Sequence, residues 1–346
     1  MSSKKTAVVI CPGRGTYNAA ELGYLSRHFA DADLMARFDA ERTRMGQDSL
    51  AALDGAERFS LARHSRGDNA SALIYAATIG DFMAINRDEV EVVAVTGNSM
   101  GWYSALACGG ALSAEGGFKV SNTMGSLMQA ALIGGQVIYP WVDEDWRPQP
   151  TRRAALLSVV DEINARAGHV LTLSIDLGGM LVLAGDEPGL AAFEAAVEPT
   201  QGRFPMRLGN HAAFHSHLQA PVAQQGRDQL PARLFQQPDL PMIDGRGAIW
   251  WPGACDLGAL WSYTLGHQVT ETYDFTHAIT VAAREFAPDM FIVTGPGTTL
   301  GGAVAQSLIR AGWRGIEDKS SFKQQQDQHP RLISMGREDQ RAVVSK

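Results

Sequence analysis

Short apolar runs that stop at glycine alternate along this chain with longer segments of helical spacing. The run Ala7-Val-Val-Ile-Cys11 ends at Pro12-Gly13, and Val90 to Val95 leads straight into Thr96-Gly97. Continuous apolar runs of this length, closed by a turn signal, predict strands buried on both faces. Ala19 to Met45 has a helical pattern broken by polar loops, and the Ala-rich stretch Ala70 to Ile85 predicts a buried helix. Trp102 to Gly109 and Gly116 to Leu132 predict two more.

The texture changes near Gly134. Gln136 to Tyr139 reads as a strand, and Asp143 to Thr151 as a loop rich in Trp, Pro and charge. Ala154 to Ala167 follows as a helix with Leu156, Leu157, Val160 and Ile163 on one side. Val170 to Asp176 and Met180 to Ala184 are strands joined across Gly178-Gly179. Glu187 to Val197 is a helix with Asp186 as its N-cap and Pro188 in its first turn. Arg203 to Leu208 is the last strand, so the order βαββαβ is that of a ferredoxin-like unit. Beyond Gly209 the larger texture resumes, with a strand at Phe291 to Thr294 ending in Gly295-Pro296-Gly297 and a helix at Leu300 to Ala311. The Gln-rich tail from Glu317 is expected to be partly mobile. The predicted fold is α/β: an α/β-hydrolase-like large domain with a parallel sheet, built from 1–133 and 207–346, interrupted by a ferredoxin-like small subdomain at 134–206.

Composition narrows the function classes. A formal charge of −7 disfavours nucleic acid as a partner. The apolar run at Ala7 is too short for a signal-peptide core, and no stretch of about 18 apolar residues predicts a membrane span. Cys11, Cys108 and Cys255 are scattered and odd in number, which suits three buried thiols in a cytoplasmic protein.

Chemistry concentrates at Gly97-Asn98-Ser99-Met100-Gly101. This matches G-x-S-x-G between a strand and a helix, the setting of a nucleophile elbow. Ser99 would then sit at a helix N-terminus, where the helix dipole and the Met100 N–H favour an oxyanion. The competing reading is a Gly-rich turn with a capping serine. A serine nucleophile needs a base. His28, His64 and His329 lie in polar segments and read as surface residues. His211, His215 and His217 cluster, a spacing that admits metal ligation but has no Cys or carboxylate beside it. His267 and His277 are later alternatives.

With these residues in hand, the chain resembles the malonyl-CoA:acyl-carrier-protein transacylases and the acyltransferase domains of polyketide synthases. Four ordered blocks carry the likeness. Cys11-Pro-Gly-Arg-Gly15 is similar to the P-G-Q-G turn, and Gly97 to Leu106 to G-H-S-L-G-E-Y-S-A-L. Ala213-Phe-His-Ser216 is similar to A-F-H-S, and Val293-Thr-Gly-Pro-Gly297 to E-x-G-P-G. The resemblance implies Ser99 as nucleophile and His215 as general base and acid, with a backbone carbonyl near His267-Gln268 orienting the histidine. It implies an oxyanion hole from the backbone N–H groups of Met100 and Arg14. A coenzyme A thioester would be the substrate, with no cofactor and no metal. An acyl carrier protein would be the acceptor in a ping-pong cycle of fatty acid or polyketide synthesis. Arg152, Arg153, Arg203 and Arg207 are candidates for its dock, against an ordinary reading as solvated charges.

Several positions depart from the family. Met124 stands where the malonyl enzymes place an arginine on the substrate carboxylate. A carboxylate buried against methionine would be unpaired, which favours a neutral short acyl group. Asp176, where an asparagine is usual near the pocket, strengthens that expectation. Phe214 indicates only a small acyl group. Arg14 offers a cation from another direction, which would restore malonyl. Asn98 and Trp102 replace the usual histidine and acidic residue at the elbow; Trp102 either narrows the pocket or fills core. Rival readings are an editing thioester hydrolase, an α/β-hydrolase with His277 or His329 as base, and an inactive docking protein.

Overall fold

The computed structural model describes residues 4–345. Its strands are β1 Lys5–Cys11, β2 Val90–Gly97, β3 Gly135–Pro140, β4 Leu171–Leu177, β5 Met180–Gly185, β6 Met206–Arg207, β7 Met242–Ile243, β8 Ile249–Trp250, β9 Tyr273–Asp274, β10 Met290–Val293 and β11 Leu332–Ser334. They form a six-stranded sheet in the order β11-β10-β1-β2-β7-β8 and a five-stranded sheet in the order β6-β3-β5-β4-β9. In the large sheet every neighbouring pair is parallel except β7–β8. Its inner strands are mainly apolar where both faces are covered, with Lys5 and Glu91 exposed at the strand starts. Ala7 to Cys11 are wholly buried.

The helix Gly67–Ala84 has no polar face, and its residues are buried almost all round. It crosses the helix Ala114–Ala131 closely, glycine against glycine. A Cβ on Gly125 would lie 2.5 Å from the Gly67 carbonyl oxygen, and one on Gly67 would lie 2.7 Å from that of Gly125. Side chains larger than hydrogen at either position would push the helices apart. This crossing brings Ser71 and Met128 to the end of the sheet where Ser99 lies.

The small sheet carries its own apolar layer, in which Val137, Tyr139, Leu171, Leu183, Phe193 and Leu190 pack together. The helices Pro150–Asn164 and Glu187–Ala196 cover that side. Asp186 caps the second helix by accepting from the Gly189 N–H, with Pro188 in the first turn. The last strand of the unit is only Met206–Arg207, shorter than the predicted Arg203 to Leu208. The sheet also borrows β9 from beyond the insert, pairing it parallel with β4. Short range pattern could not show that pairing, because the two partners lie in separate texture blocks.

The tail, expected to be partly mobile, carries regular structure over its described residues. It forms the helix Lys319–Gln328, the edge strand β11 and a final turn Glu338–Arg341. Leu332, Ile333 and Val344 are buried. Arg341 reaches the core, where it donates to Asp81 at 2.6 Å and to the Tyr24 hydroxyl at 3.1 Å. Asp81 also accepts from the Gly295 N–H at 2.6 Å. The segment reads as polar because its few anchors are separated by solvated residues. Among the described residues no helix is long and apolar enough to cross a membrane.

Removing one member of a buried ion pair leaves the other uncompensated, a loss of about 3–5 kcal/mol. Arg341→Ala should therefore lower unfolding stability by about that much in urea titration. An unchanged midpoint would mean that the tail is dispensable.

Candidate active site

Ser99 stands between β2 and the helix Gly101–Cys108 in a left-handed conformation, φ 55°. The flanking glycines make the turn possible. A Cβ on Gly101 would lie 2.1 Å from the Cys11 carbonyl oxygen, and one on Gly97 would lie 2.3 Å from Gly101 itself. His215 is also left-handed, φ 55°. Non-glycine residues in this region cost roughly 1–2 kcal/mol each, so the surrounding structure must hold both.

The two side chains meet. Ser99 Oγ is 2.7 Å from His215 Nε2, and His215 Nδ1 is 2.6 Å from the Gln268 carbonyl oxygen. With Nδ1–H donating to that carbonyl, Nε2 is free to accept the serine proton. Gln268 follows a π-helical turn, Tyr263–His267, a distortion common at functional sites. Its side chain also donates to the Ser99 carbonyl at 3.0 Å and accepts from the Tyr103 hydroxyl at 3.1 Å. One glutamine thus touches both base and nucleophile. Tyr273 packs against the His215 ring at 5.3 Å and donates to the Gly97 carbonyl at 2.6 Å.

Burial lowers the pKa of His215 to about 4, opposed in part by the Gln268 carbonyl. The imidazole is therefore neutral at pH 7. Burial, and then the charge of Arg14, lower His211 to about 3. The Met100 and Arg14 N–H groups make no hydrogen bond among the described residues, so both can donate to an incoming oxygen.

A cavity of about 20 Å³ opens beside Ser99, lined by Arg14, Ser71, Met100, Tyr103, Gly125, Met128, Phe214, His215, Gln268 and Val269. That is room for one water-sized group. Its polar lining is unusual. The Arg14 guanidinium donates through Nη2 to the Ser65 and Asn210 carbonyls and lies 5.4 Å from the Phe214 ring centroid. Its Nε is buried without a partner, as is Ser71 Oγ. Burial lowers the arginine pKa to about 10 against the attraction of Asp68, so it stays charged. No carboxylate pairs with it among the described residues.

Other expected site residues lie elsewhere. Met124 is fully buried but does not line the cavity; its sulfur would lie 2.7 Å from a Cβ on Gly226. Helix rotation presents Gly125 and Met128 to the cavity instead. Asp176 is not at the pocket either: Arg153 and Arg310 bind it at 2.7 and 2.8 Å, and Thr276 donates to it at 2.8 Å. It clasps the two sheets together. Trp102 fills core, donating to Thr264 Oγ1 at 3.0 Å and meeting Tyr263 edge to face. Asn98 lies beside Gly13, off the cavity lining, with Oδ1 buried and unpartnered. His267 stacks on Tyr263 and makes no bond to His215, so the orienting carbonyl is that of Gln268 alone.

The histidines also sort themselves. His64 is buried, not on the surface, with its ring nitrogens near the Leu53 and Ser60 carbonyls. His277 and His329 are exposed and form no bond to Ser99. His211, His215 and His217 diverge: His211 meets Gln136, His215 meets Ser99, and His217 is exposed. Among the proposed docking arginines, Arg153 is bound to Asp176 and Arg207 to Glu187 and Glu194. Arg152 and Arg203 lie over the Tyr139 and Phe204 rings. Sequence reasoning missed Ser71, Tyr103, Met128 and Val269. Each reads as an ordinary helix residue in a buried stretch, and only Met128, one turn after Met124, carries a spacing signal.

No protein-family model matches the chain. It is 23% identical over 227 residues to the malonyl CoA-acyl carrier protein transacylase of Bacillus subtilis, across 66% of this chain and 68% of that one. Its fold is similar to that of the malonyl-CoA:acyl carrier protein transacylase of Xanthomonas oryzae, with a TM-score of 0.73 at 18% identity over 100% of both chains. A malonyl-transacylase solved with its type II polyketide synthase acyl-carrier protein has a TM-score of 0.68 at 19% identity, over 88% of this chain and 93% of that one.

The histidine pKa values have two measurable consequences. A base must be neutral to accept the serine proton, so modification of Ser99 should stay fast as pH falls through 6.5 and decline only towards about 4. A pH–rate profile with its acid limb near 6.5 would contradict the buried geometry. In the unfolded chain both histidines take up protons near their ordinary 6.5, while the folded chain resists until about 3 and 4. Unfolding free energy should therefore decrease as pH falls from about 6.5 towards 4, as read from urea midpoints.

Proposed function

We propose that this chain, a homologue in sequence and fold of the malonyl-CoA:acyl-carrier-protein transacylases, moves a short acyl group from a coenzyme A thioester to a carrier-protein thiol through an ester on Ser99. The observation that carries this reading is the Ser99–His215–Gln268 relay. His215 Nε2 takes the Ser99 proton as Oγ attacks the thioester carbonyl. The Met100 and Arg14 N–H groups receive the oxyanion, where preorganised donors contribute most. Collapse expels the coenzyme A thiolate, which His215 protonates. The carrier thiol then gives its proton to the same nitrogen and attacks the ester, and the departing Ser99 oxygen takes that proton back from His215.

The neutral-acyl expectation rested on Met124, which does not face the cavity. What faces it is a half-buried arginine, Arg14, whose Nε is itself buried and unpartnered, and an unpartnered hydroxyl on Ser71. The arginine Nη2 is held by two backbone carbonyls but its charge has no carboxylate partner among the described residues, and an acyl group ending in a carboxylate would supply one. Swinging a flexible side chain such as Met128 costs far less, so charge outweighs space and a carboxyacyl group is the better fit. A neutral acetyl group is the second reading, favoured by the cavity of about 20 Å³.

Intact mass after mixing with malonyl-CoA and acetyl-CoA tests both. An adduct should form, be lost in Ser99→Ala, and be passed to a carrier protein; release of free coenzyme A at full rate without acceptor would point to hydrolysis. The malonyl adduct should predominate, and Arg14→Met should slow its formation by about 10–100-fold, as expected for a lost charged hydrogen bond. Acetyl labelling that exceeds malonyl in wild type would restore the neutral reading.

A further inference from the structure

The strand β4 is irregular where it passes the active site. Its pairing with β5 shifts register between Leu173 and Ile175, leaving Ser174 in a bulge. Bulges break the alternation of a strand and re-aim a side chain. Ser174 is wholly buried, and its hydroxyl donates to the Phe214 carbonyl at 2.8 Å. The same oxygen accepts from Gln136 Nε2 on β3 at 2.7 Å. Gln136 Oε1 in turn lies 2.8 Å from His211 Nδ1.

These bonds run in one direction. A neutral His211 with its proton on Nδ1 donates to Gln136, Gln136 to Ser174, and Ser174 to the Phe214 carbonyl. Each donor polarises the next. The chain ends on the peptide that joins Phe214 to His215, the residue held at φ 55°. On either side of it, the Ala213 N–H donates to the Ile133 carbonyl at 2.8 Å and Ser216 Oγ to the Ala213 carbonyl at 2.6 Å. Among the described residues, Ser174 is the side chain that holds the Phe214 carbonyl.

We propose that Ser174 and Gln136 are positioning residues for His215, through which the small sheet sets the imidazole on both Ser99 and the Gln268 carbonyl. The imidazole spans two short bonds at once, so a small rotation of its peptide lengthens one of them. The insert is then part of the catalytic apparatus rather than only a wall of the cleft. This inference rests on His215 serving as the base of Ser99.

The test measures phosphonylation of Ser99 by a fluorophosphonate, together with kcat and KM for whichever acyl-CoA labels the enzyme. All rates are taken per titratable site, so a misfolded fraction does not count. Ser174→Ala should slow phosphonylation and kcat by about 10–100-fold, the scale of a small misplacement, with KM within about twofold. Ser174→Thr, which keeps the hydroxyl, should recover most of the rate. Should Ser174→Ala fail to fold, Gln136→Leu serves, with a several-fold loss in the same two rates. Phosphonylation of the variant at the wild-type rate overturns the proposal, as does equal impairment of the alanine and threonine variants, which would indicate packing alone. His215→Ala is the separate control: if it keeps the wild-type rate, the base assignment itself fails.

Discussion

A serine and a histidine 116 residues apart come within 2.7 Å of each other here, with both residues held in the left-handed region against their own preference. Ser99 and His215 both sit at φ 55°, where a Cβ crowds the backbone. Neither conformation would persist in an isolated loop. Much of the surrounding structure can be understood as what keeps these two residues in place. On the serine side, Gly97 and Gly101 let β2 turn sharply against the end of β1. On the histidine side, Gln268 and Tyr273 brace the ring, and the small sheet holds the preceding peptide.

The electrostatics follow from the same burial. Enclosure keeps His215 neutral, and keeps His211 neutral beside a charged arginine. Arg14 is half-buried and keeps its proton at neutral pH, and its Nε has no hydrogen-bond partner among the described residues. One small pocket therefore holds a neutral histidine and a cation with no carboxylate partner among those residues. The larger cleft, about 660 Å³ between the small sheet and the helix Leu300–Arg310, is lined by none of Ser99, His215 and Gln268.

The two sheets are joined by charge as well as by packing. Asp176 on β4 takes Arg153 from the insert and Arg310 from the large domain, and Thr276 completes its shell. With β9 paired to β4, this fixes the height of Ser174 relative to the elbow. The insert thus occupies a defined position over the site. Residues that looked like candidates for binding substrate or partner, Asp176 and Arg153, instead hold the scaffold.

Local pattern determined the buried strands β1, β2 and β10, the βαββαβ order of the insert, and the elbow with its serine. These are legible because strand period, turn glycines and helix spacing act within a few residues of one another. The block Ala213 to Ser216 pointed to His215, but only the folded chain brings it within 2.7 Å of Ser99. Tertiary structure alone decided that Met124 faces Gly226 rather than the cavity, that Ser71 and Met128 line it, and that Ser174 leaves its strand's alternation. The rotation of a helix about its axis, a bulge and a long-range ion pair such as Asp81–Arg341 depend on partners distant in the chain. No window of sequence contains both sides of such a contact, and so the pattern that fixes the elements leaves their facing atoms undetermined.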